Sequence, residues 1–161
     1  MKPLYLIVML AISTGARKSE ILTCKWENVD FERKIITIHE TKNNESRALF
    51  LFDTTLQLLQ EYAKQQKELT GYVFHPRAKQ TPINIEREWK KAIKQVRLDN
   101  FRFHDLRHTT ASYLAMNGAT PNDIAEILGH KSLNMVKRYA HLCKTHTAKV
   151  VRDMCEEILI A

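Results

Sequence analysis

The sequence predicts an α+β fold, mainly α-helical, with one small antiparallel β-sheet or hairpin. Three observations predict it. Apolar residues recur at helical spacing over most of the chain, and two short runs, IITIH (35–39) and ALFLF (48–52), flank a polar TKNNESR stretch with Asn-Asn at its centre. At 161 residues, 44% hydrophobic and 27% charged, the chain is also long enough for one domain with its own core and too apolar for disorder.

The elements follow in order. Residues 4–12 are apolar on every face, which predicts a buried helix ended by Gly15. A second helix is expected from Arg17 to about Lys25, followed by the hairpin. From Asp53, the residues Leu56, Leu58, Leu59 and Tyr62 recur at helical spacing, with Gly71 as the stop. YVF (72–74) reads as a short edge strand before Pro76, and a further amphipathic helix spans about 84–97 with Trp89, Ile93 and Val96 inward. From His104 onward the chain reads as helical throughout, with breaks at 118–121, at 129–132 and near Thr145. Thr120, Pro121 and Asp123 form a helix start: a capping hydroxyl, a preset first residue, and an acid at the positive end. No linker or internal repeat interrupts the chain, so residues 1–161 read as a single domain.

Charge narrows the partners. Lys+Arg number 25 against 18 Asp+Glu, a net +7, which favours a polyanion, with nucleic acid ahead of a membrane. The longest apolar run, Leu4 to Ile12, is too short to span a bilayer and lacks signal-peptide flanks, so a cytoplasmic, DNA-associated protein is expected. Cys24, Cys143 and Cys155 are odd in number and share no metal-ligand spacing, so reduced thiols, no metal and no cofactor are expected.

Four places could carry chemistry. Arg17, after a glycine break at a helix start, suits a phosphate, although Glu20 at i+3 makes a surface ion pair the commoner outcome. Lys42 at the hairpin tip is either solvated charge or a mobile proton donor. In HDLRH, a helix places His104, Arg107, His108 and Ala111 on one face and Leu106, Thr110, Tyr113 and Leu114 on another, a cationic side and a core side. Charged imidazoles beside a guanidinium repel, whereas an anionic phosphate would complement them. Gly129 should redirect the chain and project His130, while Tyr139, with Met135 at i−4 and Leu142 at i+3, is on spacing alone a packed tyrosine.

In this order TGARKSEIL around Arg17, TKNNESR at Lys42, HDLRHTTASYLAMNG at His104 and Arg107, LGHKS at His130, and the following Tyr139 resemble the catalytic domain of tyrosine recombinases, the phage and transposon integrase family, over essentially the whole chain. The resemblance implies that fold and a DNA strand exchange. Tyr139 would attack a phosphodiester, leaving a 3′-phosphotyrosyl link and a free 5′-hydroxyl, and a second strand's hydroxyl would reverse the step. Arg17 and Arg107 would hold the non-bridging oxygens, where planar forks surpass point charges. His104 and His130 would bond that phosphate or move the tyrosyl proton, Lys42 would protonate the leaving oxygen, and Glu20 would orient the arginine-bearing turn. The implied partners are double-stranded DNA and further recombinase protomers, as a tetramer on DNA, without ATP or metal.

Two positions depart from the family pattern: Val136 stands where Thr is frequent, and Phe50 where Pro is frequent. Neither has a chemical role in the scheme. The resemblance further implies a catalytic domain without the N-terminal helical core-binding domain that family members usually carry. Three other readings compete. A helix-turn-helix repressor fits ASYLAMNGATPNDIAEILG in shape, but its outer side offers Asn122, Asp123 and Glu126, and acids repel phosphate. A type IB topoisomerase would use the same tyrosine and arginine chemistry to relax DNA, and a decayed DNA-binding relative would have lost positions that are all occupied here. The terminal segment also carries a stripe of Val150, Val151, Met154, Cys155, Ile158 and Leu159, which is expected to cover its own core in an isolated monomer and, by the resemblance, a neighbouring protomer on DNA.

Overall fold

Pro3 sits in the first turn of the opening helix, where a missing N–H costs nothing, and Gly15 closes it. With φ 65° and ψ 16°, Gly15 occupies the left-handed region that a side chain would disfavour. The computed structural model describes residues 2–39, 46–76, 81–130 and 132–159, the side chains of 143–150 and 159 excepted. Seven α-helices and a three-stranded sheet are found among them: α1 (Pro3–Thr14), α2 (Lys18–Leu22), β1 (Val29–Asp30), β2 (Ile35–His39), β3 (Ser46–Phe50), α3 (Asp53–Lys64), α4 (Glu86–Gln95), α5 (Asp105–Met116), α6 (Pro121–Leu128) and α7 (Lys144–Leu159). Short 3-10 turns lie at Trp26–Asn28, Leu133–Met135 and Lys137–Cys143. The chain divides into two compact units, residues 1–107 and 108–161.

In the first unit, α1 packs on α3 and α2, burying Leu6, Ile7 and Leu10. Each such side chain contributes about 1.5–3 kcal/mol by leaving water. The sheet has the order β1-β2-β3 and is antiparallel, with Ile36 opposite Leu49 and His39 opposite Ser46 as the last pair. Alternation puts Ile36, Ile38 and Leu49 into the core. Tyr62 bridges the aromatic residues Trp26, at 6.5 Å, and Phe74, at 5.5 Å between ring centres.

In the second unit Ala111, Ala115, Ile124, Ala125, Leu128, Val136 and Tyr139 form one buried cluster. Thr120 starts α6 as anticipated, accepting the Asp123 N–H at 3.2 Å, while the Asp123 carboxylate accepts the Thr120 N–H at 2.8 Å. This is a capping box built with Asp.

Several expectations shift. The first helix is not buried all round, because Tyr5 and Ile12 are exposed. The second is shorter than anticipated, ending at Leu22, and YVF contributes only an isolated bridge, Lys25 with Tyr72, rather than a strand. α3 ends at Lys64, where Gln65 and Gln66 turn back on Tyr62 and Ala63, well before Gly71. Val96 falls beyond α4 and is exposed, since Arg97 adopts φ 56° and turns the chain. On α7, Val151, Met154 and Ile158 face outward, so the stripe does not cover its own core at these positions.

Candidate active site

The turn after Gly15 carries Arg17 as the N-cap of α2. Glu20 fixes it from three residues on: Oε2 accepts the Arg17 backbone N–H at 2.6 Å and Oε1 accepts Arg17 Nη1 at 2.7 Å. The same Oε2 accepts Arg47 Nη2 at 2.7 Å. Glu20 and Arg47 are only 10% and 14% exposed, whereas Arg17 is 37% exposed. The carboxylate is thus held from inside by Arg47 and holds a guanidinium at the surface. The ion pair foreseen as the bland alternative for Arg17 exists, and it is also the device that orients the turn, in the role the family resemblance implied for Glu20.

Arg107 lies in the first turn of α5 and is 4% exposed. A guanidinium so buried needs acceptors. Its Nη1 donates to the Gly15 carbonyl at 2.6 Å, tying it to the loop that presents Arg17. His104 is exposed in the turn preceding α5, and its carbonyl accepts the Arg107 N–H at 3.1 Å. The supposed cationic surface face of HDLRH is therefore corrected. His104 stands outside the helix, Arg107 and Ala111 are buried, and Tyr113 of the supposed core side is 61% exposed. Lys42 falls outside the described residues; the strands on either side of its segment pair as far as His39 and Ser46.

In the second unit, Gly129 ends α6 with φ 64° and ψ 52°. The His130 N–H reaches the Ala125 carbonyl at 2.8 Å and the Gly129 N–H reaches Glu126 at 3.0 Å, the doubled closure of a Schellman turn. This fixes His130, half-buried, just beyond the helix. Tyr139 sits in the 3-10 turn Lys137–Cys143 and is 6% exposed. With three residues per turn, Val136 at i−3 shares its buried side, and Met135, the i−4 neighbour expected for an α-helix, is exposed. The Tyr139 hydroxyl lies 2.6 Å from Nδ1 of His108.

Arg47 and His108 were given no role from sequence. Arg47 is a strand residue whose partner is 27 positions away, and His108 was visible only as part of a charged helix face. Among the described residues no group of three or more His, Cys, Asp and Glu is placed to hold a metal ion, and no helix is long and apolar enough to cross a membrane.

The model of the phage integrase family matches residues 2–146. The chain belongs to the phage integrase family. It is 33% identical over 168 residues to the integrase of Salmonella phage P22, with 95% of this chain and 43% of that protein covered. It is 36% identical over 140 residues to the shufflon-specific DNA recombinase of Escherichia coli, covering 86% of this chain and 35% of that protein. Among solved structures, the catalytic domain of bacteriophage HP1 integrase matches with a TM-score of 0.71 at 29% identity, over 91% of this chain and 79% of that one. This integrase-family chain therefore has the expected tyrosine recombinase catalytic-domain fold, and it spans less than half the length of the two sequence relatives.

Proposed function

We propose that this chain cuts and rejoins duplex DNA at specific sites by transesterification, with Tyr139 as nucleophile, and that residues 1–161 constitute one catalytic domain. The observation that carries the reading is a tyrosine hydroxyl already in hydrogen-bond contact with an imidazole, in a chain of the integrase family. A phenol in that contact is prepared to lose its proton.

The other roles follow from charge and shape. Arg17 and Arg107 hold the non-bridging oxygens of the scissile phosphate, where negative charge concentrates in the pentavalent transition state. Glu20 and the Gly15 carbonyl hold these two guanidinium groups at their turn. His104 and His130 hydrogen-bond the same phosphate. Lys42 protonates the departing 5′ oxygen. Replacing one phosphodiester by another conserves bond energy, so rejoining requires no nucleotide hydrolysis.

The helix-turn-helix reading gains nothing from α6, whose exposed Asn122, Asp123 and Glu126 would meet the DNA backbone with acid. Further copies of the chain are proposed as partners, assembling as a tetramer on DNA through the outward-facing Val151, Met154 and Ile158 of α7. Deleting residues 147–161 is expected to impair sedimentation as an assembly on DNA while leaving the circular dichroism of the remainder.

The decisive experiment incubates the chain with nicked DNA carrying its attachment site and resolves the products on a denaturing gel. A covalent adduct that disappears in Tyr139→Phe and persists in Tyr113→Phe supports the assignment. The reverse pattern refutes it.

A further inference from the structure

Resting on that assignment, we propose that His108 is the catalytic base that takes the phenolic proton from Tyr139. Both residues belong to the second unit. His108 is half-buried on α5, with Nδ1 2.6 Å from the tyrosine oxygen and ring centres 6.3 Å apart. That separation is at the short end of the range a general base needs.

The surroundings explain why the contact is made here. Ala111 and Ala115 follow His108 at i+3 and i+7 and are fully buried in the same cluster as Tyr139. Two alanines leave space above the helix, so the 3-10 turn carrying Tyr139 can lie close to it. A larger residue at either position would hold the phenol away from the imidazole. The tyrosine ring is held by apolar packing and its oxygen contacts the His108 nitrogen.

The chemistry is balanced. A neutral imidazole is a base, and a phenol keeps its proton until a base takes it. With the ring proton on Nε2, Nδ1 accepts the hydroxyl hydrogen bond. As the phenolic oxygen bonds to phosphorus, its proton passes to Nδ1, forming imidazolium. The bond from phosphorus to the 5′ oxygen breaks, and that oxygen leaves with the electron pair and takes a proton from Lys42. In the joining step a 5′-hydroxyl displaces the tyrosine, and the imidazolium returns the proton to the phenolate.

The test has two parts, both on the full chain. First, nitrogen NMR of the histidine side chains is recorded without DNA, and Tyr139→Phe should shift the His108 Nδ1 signal. An unshifted signal means there is no bond, and the proposal fails. Second, single-turnover adduct formation is followed on nicked attachment-site DNA. His108→Ala should be slower by roughly 100-fold or more. Added imidazole should restore part of the rate, and fluorotyrosine at position 139, a more acidic phenol, should shrink the penalty. His108→Gln can accept the hydrogen bond but not the proton, and should be as slow as His108→Ala. His108→Gln at the parent rate would reduce His108 to a positioning residue. His108→Ala at or above the parent rate would make the bond a restraint, and a loss unrelieved by imidazole or fluorotyrosine would make it structural; each outcome overturns the proposal. An unaltered chain that forms no adduct would sink the transesterification reading itself, and this inference with it.

Discussion

Removing the Glu20 carboxylate by Glu20→Ala should destabilise the first unit by about 4–5 kcal/mol, a figure that can be built from its contacts. The pair with Arg47 is largely desolvated, at 10% and 14% exposure. Breaking such a pair strands a charge, at a cost of about 3–5 kcal/mol when burial is complete and nearer 3 here. The pair with Arg17 is more than a third exposed and adds little, about 0–1 kcal/mol, because water screens it. Loss of the bond to the Arg17 N–H adds about 1 kcal/mol. At about 2–4 °C per kcal/mol for a chain of this size, the midpoint should drop by roughly 10 °C. Glu20→Gln keeps an acceptor for the N–H and should lose about 1 kcal/mol less. Urea unfolding followed by circular dichroism measures the change, with Cys24 labelling as a local reporter. That thiol is buried in the same core and pushed up to about 12 by desolvation, so it reacts only when this unit opens. A Glu20→Ala chain within about 0.5 kcal/mol of the parent would show that the carboxylate is ordinary surface charge and refute the argument.

Four further outcomes are expected. Gly129→Ala places a Cβ at φ 64° and should destabilise the second unit by about 1 kcal/mol; an unchanged urea midpoint would contradict it. Asp123 is held below the usual carboxylate range by hydrogen bonds from the Thr120 side chain and backbone, so its contribution is present above its unfolded value near ~3.9 and is lost as pH falls through the lower folded value. Midpoints measured from about pH 5 to 2 should therefore fall less in Thr120→Val than in the parent, and equal slopes would count against the cap. Binding to duplex DNA, read by fluorescence anisotropy, should weaken by roughly 100-fold or more between ~50 and 200 mM salt, whereas a salt-insensitive complex would argue against phosphate contacts. In the proposed mechanism guanidinium groups supply the charge at the phosphate, so adduct formation should persist in excess EDTA; an absolute magnesium requirement for cleavage would reject the mechanism.

Features written in local chemistry were legible before the structure. Gly15 and Gly129 end helices because both need a left-handed backbone, and Thr120-Pro121-Asp123 starts one because cap, ring and acid act within a single turn. The hairpin was legible in its pairing but displaced at its edges. β3 begins at the polar Ser46, since ladder bonds continue where hydrophobicity does not, and just past the other end the Leu51 N–H still bonds the carbonyl of Lys34, the residue opposite it, at 2.8 Å. β1, two residues of Val and Asp, has no period to detect. Tyr139 was singled out by its place among the motifs, but its packing was assigned to Met135 because α-helical spacing was assumed for a 3-10 turn. Arg47 and His108 depend on partners 27 and 31 positions distant, which no local spacing rule reports.

The seven-residue 3-10 turn that carries Tyr139 has a mechanical consequence. Such turns rise about 2.0 Å per residue against 1.5 Å in an α-helix, and they are uncommon beyond three or four residues because their hydrogen bonds are poorly aligned. Rewinding Lys137–Cys143 as α-helix would shorten the segment by about 3.5 Å and turn each successive side chain by about 20°. The α7 helix, joined directly at Lys144, would be drawn along and rotated. Phenol and terminal helix are thus geared to one another through pitch alone, and a pull on either end of this short screw is felt as a rotation at the other.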